Sequence, residues 1–261
     1  ALLKNAYESG AGTRHGRTGA EEYLKYGYVP SSFRESVNHT CDCAYGDFCI
    51  AQVARLEGDE QQAQALFARS KNYQNLFDEK SGFLRGKDEE GRFKPCFNPC
   101  DWGGDYCEGG AWQNAFAVYH DVEGLAALYG GKEKLCEKLD GLFATPPIFE
   151  TGGYGEEIHE MSEMASVDFG QCAISNQPSF HLPWLYSALG QQEKTIYWVE
   201  KLVNEAFSCT VDGFPGDEDN GTMAAWYVFA CLGYYPLCPA KAEFVPSKPL
   251  FQKIKIIKKE S

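Results

Sequence analysis

Three stretches of this chain combine carboxylates with glycines or amides in spacings that suit proton transfer and the binding of sugar hydroxyls. The densest is Gly216-Asp217-Glu218-Asp219-Asn220-Gly221, immediately ahead of a helical run from Met223 to Cys231. Acidic residues at a helix start complement the helix dipole, which accounts for such a sequence in an arbitrary protein. Here the flanking glycines let the backbone turn sharply and approach a ligand, and crowded like charges suit one carboxylate to accept a proton as general base. Asp217 and Asp219 are both candidates. A second stretch, Cys107-Glu108-Gly109-Gly110-Ala111-Trp112-Gln113, sets a carboxylate beside two glycines and ahead of an expected helix carrying Trp112, Phe116 and Tyr119. Aromatic faces with a lone carboxylate suit sugar binding, and an apolar surround would keep Glu108 protonated and able to donate to a departing oxygen. The third runs from Glu156 through His159, Glu160 and Glu163 to Asn176 and Gln177. A zinc-protease helix needs two histidines one turn apart, and this segment has one. Oxygens from Glu163, Asn176 and Gln177 suit a hard cation such as Ca2+ instead.

Charge and motif content narrow the alternatives. The 261 residues carry 24 Lys and Arg against 37 Asp and Glu, a net charge of −13, which disfavours nucleic acid and anionic membrane surfaces as partners. No G-x-S-x-G elbow, phosphate loop or dinucleotide glycine motif occurs, so acyl, phosphoryl and hydride transfer lose support. No apolar run approaches the roughly 18 residues that span a bilayer, and Ala1 to Arg17 lacks the order of a signal peptide. Eleven cysteines leave at least one thiol unpaired and show no zinc-ribbon spacing. Cys49, Cys136, Cys172 and Cys231 sit in apolar helical patterns and read as small buried hydrophobes of a protein kept reduced, which favours the cytoplasm.

The elements that must position these residues are helical hairpins. From Tyr45 to Phe77 apolar residues recur at helical spacing, broken once at Gly58-Asp59, where Gly58 suits the left-handed end of one helix and Asp59 the cap of the next. The same punctuation returns around Gly130-Gly131 and Gly190-Gln191, so about three hairpins of similar build are expected. Long loops over 95–110, 152–179 and 212–221 separate them and carry the polar clusters, as connections lining the mouth of an α/α toroid would. A ring of six hairpins needs about twelve helices, and roughly eight or nine can be placed. We therefore expect residues 1–236 to form part of a toroid. Residues 237–261 would add an extension with an edge strand at Ile254-Lys255-Ile256 that lacks a partner in this sequence.

Taken together, several motifs resemble glycoside hydrolase family 92: Glu108-Gly109-Gly110-Ala111-Trp112-Gln113, His120-Asp121-Val122-Glu123-Gly124-Leu125, Asn176-Gln177-Pro178-Ser179-Phe180-His181 and Gly216 to Gly221 through Ala225-Trp226-Tyr227. Ala44-Tyr45-Gly46-Asp47-Phe48 and Arg69-Ser70-Lys71-Asn72-Tyr73 add to the likeness, which runs in order over nearly the whole chain. The resemblance implies a calcium-dependent, inverting exo-α-mannosidase whose catalytic part is an (α/α)6 barrel packed on an N-terminal β-sandwich. Of these, the chain would hold only the later barrel. By the same resemblance Glu108 is the general acid and Asp219 the base, with Asp217 as the other candidate. His159 and Glu160 match the pair that faces the leaving mannose in α1,2-specific members, Glu163, Asn176 and Gln177 match the calcium neighbourhood, and Trp112 and Asp47 stand as further substrate contacts. Family habit allows a periplasmic or secreted location.

The sequence departs from the pattern in having Gly46 where the family often has a second acid beside Asp47, and in lacking the sandwich that completes the sugar pocket. Two other readings keep the toroid. The first is another α/α-toroid glycosidase or a sugar phosphorylase, of which the phosphorylase would need a cationic phosphate pocket, and no basic cluster stands beside Asp217 or Asp219. A non-catalytic carbohydrate-binding module would be favoured by loss of either acid, and both are present.

Overall fold

The computed structural model describes residues 2–8, 16–255 and 257. After α1 (Leu2–Tyr7) and α2 (Ala20–Tyr26), the first long hairpin pairs α3 (Ser36–Leu56) with α4 (Glu60–Arg69). Its turn has the chemistry expected of it: Gly58 takes φ 80°, and Asp59 Oδ1 accepts the Gln62 N–H at 3.2 Å. A short antiparallel pair, β1 (Phe77–Asp78) with β2 (Phe83–Leu84), follows.

The helix expected through Tyr119 ends early. Only α5 (Ala111–Asn114) forms, because Phe116 and Val118 are both fully buried, and residues two apart point to opposite sides of a helix. The chain instead turns there, with the Val118 N–H on Phe116 O at 2.7 Å.

Two further hairpins appear where glycines break the pattern: α6 (Val122–Leu128) with α7 (Lys132–Ala144), and, beyond α8 (His159–Val167), α9 (Leu182–Ala188) with α10 (Gln192–Glu205). α11 (Thr222–Leu232) closes the helical part, and β3 (Tyr234–Tyr235) pairs antiparallel with β4 (Val245–Pro246). One large apolar cluster unites the hairpins, including Leu76, Phe116, Leu125, Leu139, Trp184 and Trp226. Each such side chain contributes about 1.5–3 kcal/mol when removed from water. Trp226 anchors α11 beneath the acidic loop: it stacks on Phe207 at 5.6 Å and its indole N–H donates to Phe180 O at 2.9 Å.

The fold is mostly helical, and among the described residues its hairpins do not close into a ring. Residues 245–250 return against the helices, where Ser187 Oγ donates to Pro246 O at 2.6 Å and the Leu250 N–H to Cys231 O at 3.0 Å. The edge strand expected at 254–256 is not seen at Ile254 and Lys255, and Ile256 lies outside the described residues. All eleven cysteines are free thiols. Cys136 and Cys231 are buried in helices as expected, whereas Cys49 is half-buried and Cys172 is buried in a loop. Among the described residues no helix is long and apolar enough to cross a membrane.

Candidate active site

Glu108 sits on a loop laced to the start of α3. The Cys107 N–H donates to Asn38 Oδ1 at 2.9 Å, Asn38 Nδ2 to Asn114 Oδ1 at 2.8 Å, and the Gly103 N–H to Gly109 O at 3.0 Å. Glu108 itself is held at φ 46°, a left-handed conformation that a side chain disfavours. Its backbone N–H donates to Tyr154 Oη at 2.9 Å, and its exposed carboxylate accepts Asn176 Nδ2–H on Oε2 at 3.1 Å. Gly110 must lack a side chain, since a Cβ would lie 2.8 Å from Asp101 O.

The acidic loop divides its three carboxylates between tasks. Glu218 accepts the Gly221 and Ala224 N–H groups at 2.6 and 3.1 Å, so it caps α11 and the dipole reading applies to it. Asp219 and Asn220, at φ 51° and 59°, turn the chain so that the exposed Asp219 carboxylate receives Gln177 Nε2–H on Oδ2 at 2.6 Å. Asp217 is exposed too, and its charge acts on His159 and Glu163.

The third cluster occupies the first turns of α8. His159 Nδ1 lies 3.0 Å from Glu163 Oε1 and its Nε2 3.3 Å from Glu160 Oε1. The hydrogen bond with Glu163, ahead of the charges of Glu160, Glu163 and Asp217, holds the His159 pKa above its ordinary value. Burial is the main cause pushing the Glu163 carboxyl up. Glu160 Oε2, Glu163 Oε2 and Ser175 Oγ are buried without a hydrogen-bond partner, a costly arrangement unless a ligand satisfies them. Gly216 packs directly on this spot: a Cβ there would stand 2.7 Å from Glu163 Oε2 and collide with Ser175 O.

Of the expected site residues, Glu108, Asn176, Gln177 and Asp219 thus form one hydrogen-bonded chain and His159, Glu160 and Glu163 a second cluster, which the acidic loop approaches at Gly216 beside Asp217; Trp112 and Asp47 join neither. The two exceptions are corrections. Trp112 packs against the core, edge-on to Phe83 at 4.9 Å and 4.3 Å from Lys138 Nζ, and the exposed Glu108 has no apolar surround. Asp47 is fully buried on α3, bonded to Arg17 at 2.6 Å, to Arg69 at 2.7 Å and to the Tyr23 hydroxyl at 3.2 Å, and is an anchor of the fold. A pocket of about 270 Å³ that includes Gln177 and Thr222 is lined by the aromatic residues Tyr45, Tyr119, Phe180 and Tyr235. Tyr154, on the Glu108 N–H, and Ser175, with its unpartnered buried hydroxyl, also stand at these clusters without having been expected there. Tyr154 carried one legible signal, an aromatic bracketed by glycines in Gly152-Gly153-Tyr154-Gly155.

The chain is thus an α/α assembly of helical hairpins whose loops bring carboxylates from separate segments within reach of one amide pair. The family model for the glycosyl hydrolase family 92 catalytic domain matches residues 1–261, and the chain belongs to that family. The GH92 inverting mannosidase BT2199 of Bacteroides thetaiotaomicron is 38% identical, with a TM-score of 0.83 over 97% of this chain and 34% of that one. The α-mannosidase BT3965 of the same organism, solved in complex with mannoimidazole, is 30% identical, with a TM-score of 0.83 over 95% of this chain and 32% of that one. An uncharacterised secreted glycosidase from Arthroderma benhamiae is 26% identical over 92% of this chain and 32% of its own length. The chain spans about a third of the length of these relatives.

Family 92 enzymes generally need a metal ion. Among the described residues no three His, Cys, Asp or Glu side chains converge to hold one by themselves. The buried, unpartnered Glu163 Oε2, which shares the space beside Gly216 with the Ser175 carbonyl oxygen, nevertheless fits a hard cation that takes one charged ligand and several neutral ones.

Proposed function

We propose that the polypeptide carrying this chain hydrolyses terminal α-linked mannose, with α1,2 linkages preferred, from mannosides or N-glycan and mannan oligosaccharides by a single displacement with inversion. The observation that carries this reading is the adjacent amide pair Asn176-Gln177, which ties Glu108 to Asp219 across the site. In an inverting hydrolase one carboxylic acid protonates the glycosidic oxygen while a carboxylate on the other face of the sugar deprotonates water, the two about 6.5–9.5 Å apart. Glu108 is the acid. Asn176 occupies Oε2 as a donor, which leaves Oε1 to carry the proton toward the leaving oxygen. Asp219 is the base, with Asp217 the alternative, and Gln177 holds its Oδ2 so that Oδ1 faces the water. General acid and base contributions of this kind are worth about 10²–10⁴-fold each.

His159 and Glu160 contact the mannose that leaves. Glu163, with the side-chain oxygens of Asn176 and Gln177, would hold Ca2+, which supplies electrostatic stabilisation of sugar hydroxyls without redox chemistry. A β-sandwich elsewhere in the polypeptide, which the extension from residue 237 would meet, completes the pocket. The test is hydrolysis of α1,2-, α1,3- and α1,4-mannobiose by the whole polypeptide, with proton NMR of the first-formed mannose. We expect the β anomer first, fastest release from the α1,2 substrate, loss of activity in chelator and recovery with Ca2+. Retained configuration overturns the displacement scheme, and full activity in excess chelator overturns the metal.

A further inference from the structure

Glu108 adopts a backbone conformation it would not choose alone; its neighbours Cys107 and Gly109 are held by Asn38 and Gly103, and its own N–H is taken by one side chain. Tyr154 Oη accepts the Glu108 N–H at 2.9 Å, on the residue whose φ is 46°. The tyrosine is itself fixed. Its ring fills the space left by Gly103, where a Cβ would fall 2.7 Å from the ring, and the Arg34 guanidinium lies over the ring at 5.2 Å. Backbone bonds lace its loop to the strand of chain that leads to Glu108: the Trp102 N–H donates to Glu150 O at 3.0 Å and the Gly153 N–H to Trp102 O at 2.7 Å. A rigid lattice of short-range contacts therefore ends in a single hydroxyl directed at the Glu108 peptide.

We propose that Tyr154 is a positioning residue for the acid, its hydroxyl holding the Glu108 peptide so that the carboxyl faces the glycosidic oxygen. This rests on the reading of Glu108 as general acid. Tyr154 touches the main chain of Glu108, whereas Asn176 touches the side chain, so the carboxyl is gripped from both ends. Without the hydroxyl the ring and its contacts with Gly103 and Arg34 persist, but Glu108 can relax toward an ordinary backbone conformation and swing its carboxyl out of line. Misplacement of a catalytic group by about 1 Å can cost on the order of 10²-fold in rate.

The test uses Tyr154→Phe in the whole polypeptide, assayed on α1,2-mannobiose and on 2,4-dinitrophenyl α-mannoside, whose leaving group needs no proton. We expect kcat on mannobiose to fall about 10- to 100-fold with KM within about twofold, and kcat on the dinitrophenyl substrate to stay within about threefold. Thermal unfolding should be unchanged. Added to Glu108→Gln, the substitution should cost nothing further on mannobiose, because the group it positions is already gone. Equal loss on both substrates, additive loss in the double variant, or undiminished mannobiose hydrolysis overturns the proposal. Glu108→Gln alone separates the two ideas. If it also harms both substrates equally, the acid reading falls and takes this one with it; if it shows the leaving-group signature and Tyr154→Phe does not, only the positioning role fails.

Discussion

Asn176 and Gln177 stand side by side in the chain yet hold carboxylates that are 111 positions apart in sequence: Asn176 Nδ2 donates to Glu108 Oε2 at 3.1 Å and Gln177 Nε2 to Asp219 Oδ2 at 2.6 Å. A hydrogen bond to a charged group is worth about 1.5–3 kcal/mol, or roughly 10- to 100-fold in rate if it acts in the transition state. Gln177→Ala should therefore lower kcat/KM by about that factor while leaving the melting temperature nearly unchanged, because Asp219 is exposed. Steady-state kinetics paired with a thermal melt would decide it, and an unaltered kcat/KM would remove Gln177 from the site.

Gly216 is the point where the acidic loop touches the α8 cluster. A methyl there meets Ser175 O and lies 2.7 Å from Glu163 Oε2, so Gly216→Ala must push the loop away. Overpacking of this kind costs about 1–3 kcal/mol, and the displacement should carry Asp217 and Asp219 with it. Urea unfolding should show the first effect and hydrolysis rates the second. Wild-type activity in this variant would mean the loop does not need its close approach.

Asp47 should matter for stability and not for chemistry. Asp47→Asn leaves the Arg17 and Arg69 guanidinium groups without their shared carboxylate in a buried setting, and breaking such a cluster costs about 3–5 kcal/mol. In a domain of this size that corresponds to a melting temperature lower by roughly 10 °C. Active-site titration on the folded fraction should return a normal turnover number, and a specific loss of turnover would restore Asp47 to the substrate pocket.

His181 predicts an acid-side loss of stability. It is buried beside Phe116 O, with Nε2 2.9 Å from that carbonyl, and burial pushes its pKa down to about 4. The unfolded chain, with an ordinary value near 6.5, takes up a proton that the folded chain refuses. Stability is therefore full above pH 6.5 and declines as pH falls from there toward 4, by about 3 kcal/mol in total. His120, also depressed chiefly by burial, adds in the same direction. Urea midpoints at pH 7.5 and pH 5 should differ by less in His181→Gln than in the natural chain, and an identical difference would contradict the assignment.

What the amino-acid order determined by itself was local or contiguous. Gly58, Gly130 and Gly190 mark helix ends because only their own backbone angles, φ 80°, 88° and 87°, are at stake. The acidic loop and the Glu-Gly-Gly motif were legible because their chemistry sits in consecutive residues, and the family likeness was carried by the same runs. The tertiary structure alone decided where those groups point. Trp112 is four residues from Glu108 but faces Phe83 and Lys138, Asp47 turns out to be committed to two distant arginines, and the helix expected to reach Tyr119 stops at Asn114 because Phe116 and Val118 are both drawn into the core. Tyr154 reaches the Glu108 peptide from 46 residues away. Direction of this kind depends on which buried partners compete for a side chain, and those partners are set by packing between remote segments rather than by near neighbours in the chain.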